Sequence, residues 1–278
     1  MANGLMIKLP VAATDNTLPK LPVALNSGSL VLIDNNKDMV DIDGFKALVD
    51  AASTGNPSLP LINRAADNAA ALGISDASIS VVCSASNKLL LSETTAKGGL
   101  HIAHNSVSTV GTGSRIAMSA GITSYLSNNR DHNIFAAVWA RITRIGEARL
   151  QYLLNLGFNA NNNFATINLS STTTIGRGDI GVERVGNSET LGLIKAIAAG
   201  PFNQRNAEQS AAIGALLMSW FQSNVVGATG DGLILYRLYV EDLTVSGRTY
   251  EQAKFDDDAF YSSAITGRLA GDTWTNPI

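Results

Sequence analysis

The sequence predicts a mainly β protein, a two-layered sandwich preceded by an extended arm and a small helical hairpin. Three observations carry this. From Gly232 to Glu241 apolar residues alternate, with Ile234, Tyr236, Leu238 and Val240 on one face and Leu233, Leu235, Arg237, Tyr239 and Glu241 on the other. From Asn133 to Thr143 both faces are apolar until Arg141, which suits a central strand covered on both sides. From Ser78 onward short β-like runs recur between Gly, Asn and Ser. The first face of the 232–241 strand is expected to pack on a second sheet. The mixed second face is expected near solvent or a partner.

A chain of 278 residues allows one large domain, or a domain with a smaller appendage. Charged residues make up 15% of it, against about 25% in ordinary soluble domains. Two explanations stay open: surface covered by sister subunits, or surface made polar by Asn, Ser and Thr. The net charge of −3, with no Lys/Arg cluster, argues against duplex nucleic acid as a partner. The single Cys83 excludes an internal disulfide and a cysteine zinc site, and its place in Ile79–Cys83 suits a buried, inert thiol. No run of 18 apolar residues is present, so no membrane span is expected, and the N-terminus does not read as a secretory signal.

In chain order, residues 1–28 hold Pro10, Pro19 and Pro22, and Leu5, Ile7, Leu9 and Val11 alternate with other residues. This segment reads either as an inter-subunit arm that adds a strand to a neighbour or as a partly ordered tail. A strand is expected over 28–33, and residues 29–76 are assigned to a small helical segment, with helical spacing in Phe45, Leu48, Val49 and Ala52 repeated in Leu61, Ala65, Ala69 and Leu72. Residues 77–278 are assigned to the sandwich, with strands near 79–83, 89–91, 100–103, 115–118, 133–143, 149–156, 164–169 and 179–185. Residues 191–198 fit strand or helix, as do 209–221. A turn is expected at Ser246-Gly247, a short acidic helix over 255–261, and a last strand or tail at 271–274.

Gly232 to Ala253 thus runs as a strand, a polar pair, Leu243-Thr244, Gly247 and a brief helical segment. That order resembles the closing strand of concanavalin A-like jelly rolls of the laminin-G and pentraxin type. Phe135, Trp139 and Arg141, spaced F-x-x-x-W-x-R, are similar to the core tryptophan strand of the same group. Tyr239 to Tyr250, reading YVEDLTVSGRTY, resembles the C-terminal part of tail-associated structural proteins of bacteriophages. The resemblance implies a non-enzymatic structural or assembly protein of the virion, in the tail, baseplate or particle surface, made in the host bacterial cytoplasm. Its partners would be itself, as a homo-oligomer, and other virion proteins. The alternative is a lectin-like module for host-surface glycans, with Tyr125, Tyr239, Tyr261 or Trp274 stacking on sugar rings; the same aromatics would serve as subunit anchors.

Catalytic patterns are sparse. Glycoside cleavage needs two carboxylates about 5–9.5 Å apart. Asp179 and Glu183 would share a strand face but lie about 13 Å apart, and the adjacent Glu241 and Asp242 point to opposite faces. His101 and His104, three apart, point oppositely on a strand and cannot share a metal there. Asp131-His132 reads as a surface loop. No cofactor is expected, with calcium the alternative left open. The clusters Asp34, Asp38, Asp41, Asp43 and Asp256–Asp258 lack a calcium-loop pattern, and the second suits a helix start. Arg177-Gly178-Asp179 is read as a chance triplet. Gly98-Gly99 and Gly111-Thr112-Gly113 are read as turns.

Overall fold

A computed structural model describes residues 25–34, 42–86, 88–105, 111–112, 114–146, 154–157, 163–167, 174–176, 181–186, 191–201, 216–219, 222–223 and 229–276. Leu5, Ile7, Leu9 and Val11 of the expected arm lie outside these residues. So do Asp38, Asp41 and the Arg177–Asp179 triplet.

Within the described residues the chain is mainly β, and every strand pair is antiparallel. The strands are β1 (Ser29–Asp34), β2 (Ser58–Leu61), β3 (Ile79–Cys83), β4 (Leu89–Thr94), β5 (Leu100–His104), β6 (Gly111–Thr112), β7 (Ser114–Met118) and β8 (Asn133–Arg144). They continue with β9 (Leu154–Gly157), β10 (Asn163–Ile167), β11 (Thr174–Gly176), β12 (Gly181–Val185), β13 (Gly192–Pro201), β14 (Leu216–Ser219), β15 (Gln222–Ser223) and β16 (Gly232–Asp242). The helices are α1 (Phe45–Ala51), α2 (Ala66–Ala71), α3 (Ala120–Asn128), α4 (Leu243–Ser246) and α5 (Tyr250–Thr266).

The largest sheet runs β12-β13-β8-β16-β5-β4, and β1 also pairs with β16. Strand β16 is bonded to β8 along its length. Its other edge is divided, with β5 on Gly232–Leu235 and β1 on Arg237–Glu241. A second sheet runs β14-β7-β3-β2, and Ile79, Val81, Ile116 and Met118 from it join Ala136, Val138, Leu235, Leu238 and Val240 of the first in one core. Smaller sheets are β11-β10-β9 and β15-β6.

The alternation expected along β16 is corrected at its midpoint. Its register against β8 shifts between Leu235 and Arg237, a bulge that places two consecutive residues on one side. Leu233, Leu235, Leu238 and Val240 therefore face the core between the sheets. Ile234, Tyr236, Arg237 and Tyr239 take the other side. A strict period of two cannot carry parity across an inserted residue.

That other side does not face solvent either, because α5 and the segment after it cover it. The helix is longer than the acidic stretch expected over 255–261: it opens with a capping box between Thr249 and Gln252 and runs for 17 residues. Asp256–Asp258 lie inside it rather than at its start. Its buried residues are Ala253, Asp257 and Ala264, so a carboxylate occupies a place an apolar anchor would normally take. Asp257 Oδ2 lies 3.0 Å from Lys195 Nζ and accepts a hydrogen bond from Trp139 Nε1 at 3.2 Å. Its Oδ1 lies 3.7 Å from Arg237 Nε. Asp258 bridges Lys195 and Lys254, and Arg268 pairs with Asp34 beside Arg237. Arg237, 1% exposed, lies with its guanidinium over the Trp139 ring, 4.9 Å from the centroid.

Other expectations are settled element by element. Residues 192–201 form a strand, and within 209–221 the described part, β14, is a strand. Helical spacing near 45–52 and 65–72 is realised in α1 and α2, but β2 lies between them, so they do not form a hairpin. Lys46 N, in the first turn of α1, donates to Ser92 Oγ on β4, and Asn63, ahead of α2, bonds the backbone of Leu30 and Leu32 on β1. Gly247, at φ +70°, closes α4 at the expected turn. Residues 272–276 form no regular element. Helix α3, capped by Ser119, was not foreseen: Gly121 and the β-branched Ile122 and Thr123 weaken its sequence signal.

Removing Asp257 leaves Lys195 and Arg237 buried without their shared partner. Asp257→Ala is expected to cost on the order of 3 kcal/mol, read as a lower urea midpoint at constant m value.

Candidate functional site

The β4–β5 hairpin, strand β8 and the chain end meet on the α5 side of the main sheet. Glu93 on β4 stands directly across from His101 on β5 in the hairpin register. Glu93 Oε1 lies 2.6 Å from His101 Nδ1, and His101 Nε2 lies 2.8 Å from Thr143 Oγ1 on β8. Strand β16 runs between β5 and β8, yet the histidine and threonine meet across it. The reason is Gly232, where an added Cβ would fall 2.6 Å from Thr143 Oγ1. A carboxylate can only accept from Nδ1–H, so the neutral ring presents Nε2 as acceptor and the threonine hydroxyl donates to it. Burial lowers the pKa of His101 against the opposing pull of Glu93, which favours that neutral form.

Trp274 closes the outer side of this chain of bonds. Its ring meets His101 edge-on at 6.4 Å, and the Arg141 guanidinium lies 5.3 Å from its centroid. The segment carrying it is tied to the hairpin by Thr275 N to Glu93 Oε1 at 2.7 Å and Ala96 N to Thr273 O at 2.9 Å. Asp272 accepts from Tyr236 OH at 2.7 Å and from Lys97 N at 2.8 Å. Beside Trp274 opens a groove of about 400 Å³ lined by Arg141, Thr143, Leu191, Asp272 and Asn276 among others. Arg141 Nε is buried there without a hydrogen bond.

The four aromatics singled out in the sequence are not gathered at one place. Trp274 lines the groove, and Tyr261 packs on Trp139 in the same apolar cluster. Tyr239 is 4% exposed, its hydroxyl bonded to Ser29 and Glu241, so its ring is not offered to a ligand. Tyr125 lies on α3 and donates to Asp242 Oδ2 at 2.8 Å. His132, in the loop between α3 and β8 as expected, reaches the same oxygen through Nδ1 at 2.6 Å and so also tethers that loop to a fully buried carboxylate.

Glu241 and Asp242 do point apart. Glu241 is satisfied by Asn26, Tyr239, Ser246 and Arg248, while Asp242 caps α4 through Val245 N. His101 and His104 also diverge: the His104 ring accepts from Ser114 N of β7 at 3.2 Å, on the inter-sheet side. Cys83 is buried, and its thiol is pushed up to about 11 by that burial. Among the described residues no group of three or more His, Cys, Asp or Glu is arranged to hold a metal ion.

The relay was missed because the three residues are scattered in sequence. One signal was available: once the expected turn at Gly98-Gly99 joins β4 to β5 in a hairpin, register sets Glu93 opposite His101. Comparison with known proteins finds no family model, curated protein or solved structure that matches this chain.

The buried histidines give the fold an acid limit. Burial pushes His104 down to about 3 from an ordinary 6.5. The unfolded chain therefore takes up that proton first, and stability falls as pH drops from about 6.5 towards 3, by up to roughly 4 kcal/mol. His101, also lowered, adds to the same slope. Melting temperature against pH is expected to show this fall, and His104→Gln to flatten it partly.

Proposed function

We propose that this chain is a structural or assembly protein of a bacteriophage virion, a concanavalin A-like jelly-roll body that works through contacts with copies of itself and with other virion proteins. The observation that carries the reading is where its charge goes. Charged residues are already few, at 15%, and Lys195, Arg237, Glu241, Asp242 and Asp257 are spent inside the fold. The exterior meanwhile presents Phe255 at 72%, Leu191 at 62% and Leu48 at 50% exposure. A charge-poor surface with protruding apolar side chains suits subunit contact better than isolated life in water. Residues 5–11, with Leu5, Ile7, Leu9 and Val11 alternating, are the arm this reading assigns to a neighbouring subunit.

A second reading, recognition of a host-surface glycan, is favoured by one site: Trp274 beside Arg141, Asp272 and Asn276 in an open groove. Aromatic rings with a few hydrogen-bonding side chains suit a sugar.

Light scattering on the purified chain is expected to give a mass above that of one copy, with Phe255→Ser weakening association about tenfold. A strictly monomeric species at micromolar concentration contradicts the assembly reading. On a glycan panel, any sugar retained by the chain is expected to be lost in Trp274→Ala; retention would move the glycan reading off this groove.

A further inference from the structure

We propose that Glu93, His101 and Thr143 act as orienter, base and nucleophile, giving this chain a carboxylic-ester hydrolase activity at the Trp274 groove. Three features distinguish them from an ordinary polar contact. The bonds run in the required order, carboxylate to Nδ1 at 2.6 Å and Nε2 to hydroxyl at 2.8 Å. The ring is wholly buried, so the carboxylate fixes its tautomer out of competition with water. The hydroxyl end, Thr143, lines a groove large enough for a small molecule. Gly232, by lacking a side chain, lets the relay pass across the strand that would otherwise separate base from nucleophile.

The substrate class follows from the walls. Trp274 and Leu191 offer apolar surface, and Arg141 stands two residues from Thr143 on the same strand. A small carboxylic ester carrying a flat ring fits, with the ring against Trp274 and the carbonyl towards Thr143. Thr143 Oγ attacks the carbonyl carbon while its proton passes to His101 Nε2, and the carbonyl electron pair moves onto oxygen. The Arg141 guanidinium, on the wall of the groove, is the group placed to meet that charge. The carbon–oxygen bond to the alcohol breaks, and His101 returns the proton to the departing alkoxide. Water then adds to the acyl carbon by the same route, freeing the acid and restoring the Thr143 hydroxyl.

The inference shares with the glycan reading the premise that the groove takes a ligand; it is independent of the assembly reading. The experiment uses the whole chain with p-nitrophenyl acetate, and separately with a fluorophosphonate label followed by peptide mass mapping. Hydrolysis is expected to fall about a hundredfold or more in Thr143→Val, the scale of a positioned base and its nucleophile, and to persist in Thr143→Ser. Glu93→Gln is expected to lower the rate and shift its pH profile. The label is expected on Thr143 of the unaltered chain, a result that needs no variant to fold; melting curves show whether the variants do. A rate equal in unaltered chain and Thr143→Val, or a label on any other residue, overturns the proposal. Labelling of Thr143 together with unchanged sugar binding by Trp274→Ala would move the glycan reading off this groove and leave this one standing.

Discussion

The bulge in β16 is the constraint from which the outer half of the molecule follows. By inserting one residue between Leu235 and Leu238 it sets Tyr236 and Arg237 side by side on the face away from the second sheet. A guanidinium in that position needs a carboxylate and an aromatic platform, since an unpaired buried charge is among the costliest defects a fold can carry. Asp257 and Trp139 supply both. Helix α5 is therefore held at least as much by charge pairing as by an apolar stripe, since the apolar residues among its buried positions, Ala253 and Ala264, are both small. Replacing such a network with hydrocarbon can leave a protein equally stable, so its contribution is to register as much as to energy.

Charge has a second use at the junction of β16 and α4. Glu241 and Asp242 are both fully buried, yet each oxygen finds donors from elsewhere in the chain. Glu241 gathers Asn26 from ahead of β1 and Arg248 from ahead of α5, while Asp242 gathers Tyr125 and His132 from around α3. Two adjacent carboxylates thus tie the two faces of the sheet to the same point of the backbone. A polar pair that interrupts a hydrophobic pattern in the sequence becomes a knot in the structure.

How much of this was legible depended on range. Strands β1, β3, β4, β5, β7 and β8 could be placed from alternation and from Gly, Asn and Ser punctuation, because those signals are local. The burial of both faces of β8 was readable for the same reason. The parity of β16 beyond Leu235 was not, since a bulge leaves no compositional mark in a run where every residue but Arg237 is apolar. Helix α5 was cut short because a helix docked through Asp257 shows little amphipathic contrast. Trp274 was singled out as an exposed aromatic and does line a groove. Its neighbours Glu93 and His101 face each other by local hairpin register, but Thr143 joins them only through pairing among strands distant in sequence, which no single-sequence period encodes.

The divided edge of β16 also bears on how the chain is made. Strands β1, β5 and β8, all complete by Arg144, hydrogen-bond to a strand that begins at Gly232. Until residues 232–242 have left the ribosome, the middle of the main sheet has a vacant lane, and those three strands hold unpaired edges. Completion of the main sheet therefore waits for residues 232–242, and pairing across so wide a separation in sequence is intrinsically slow to form.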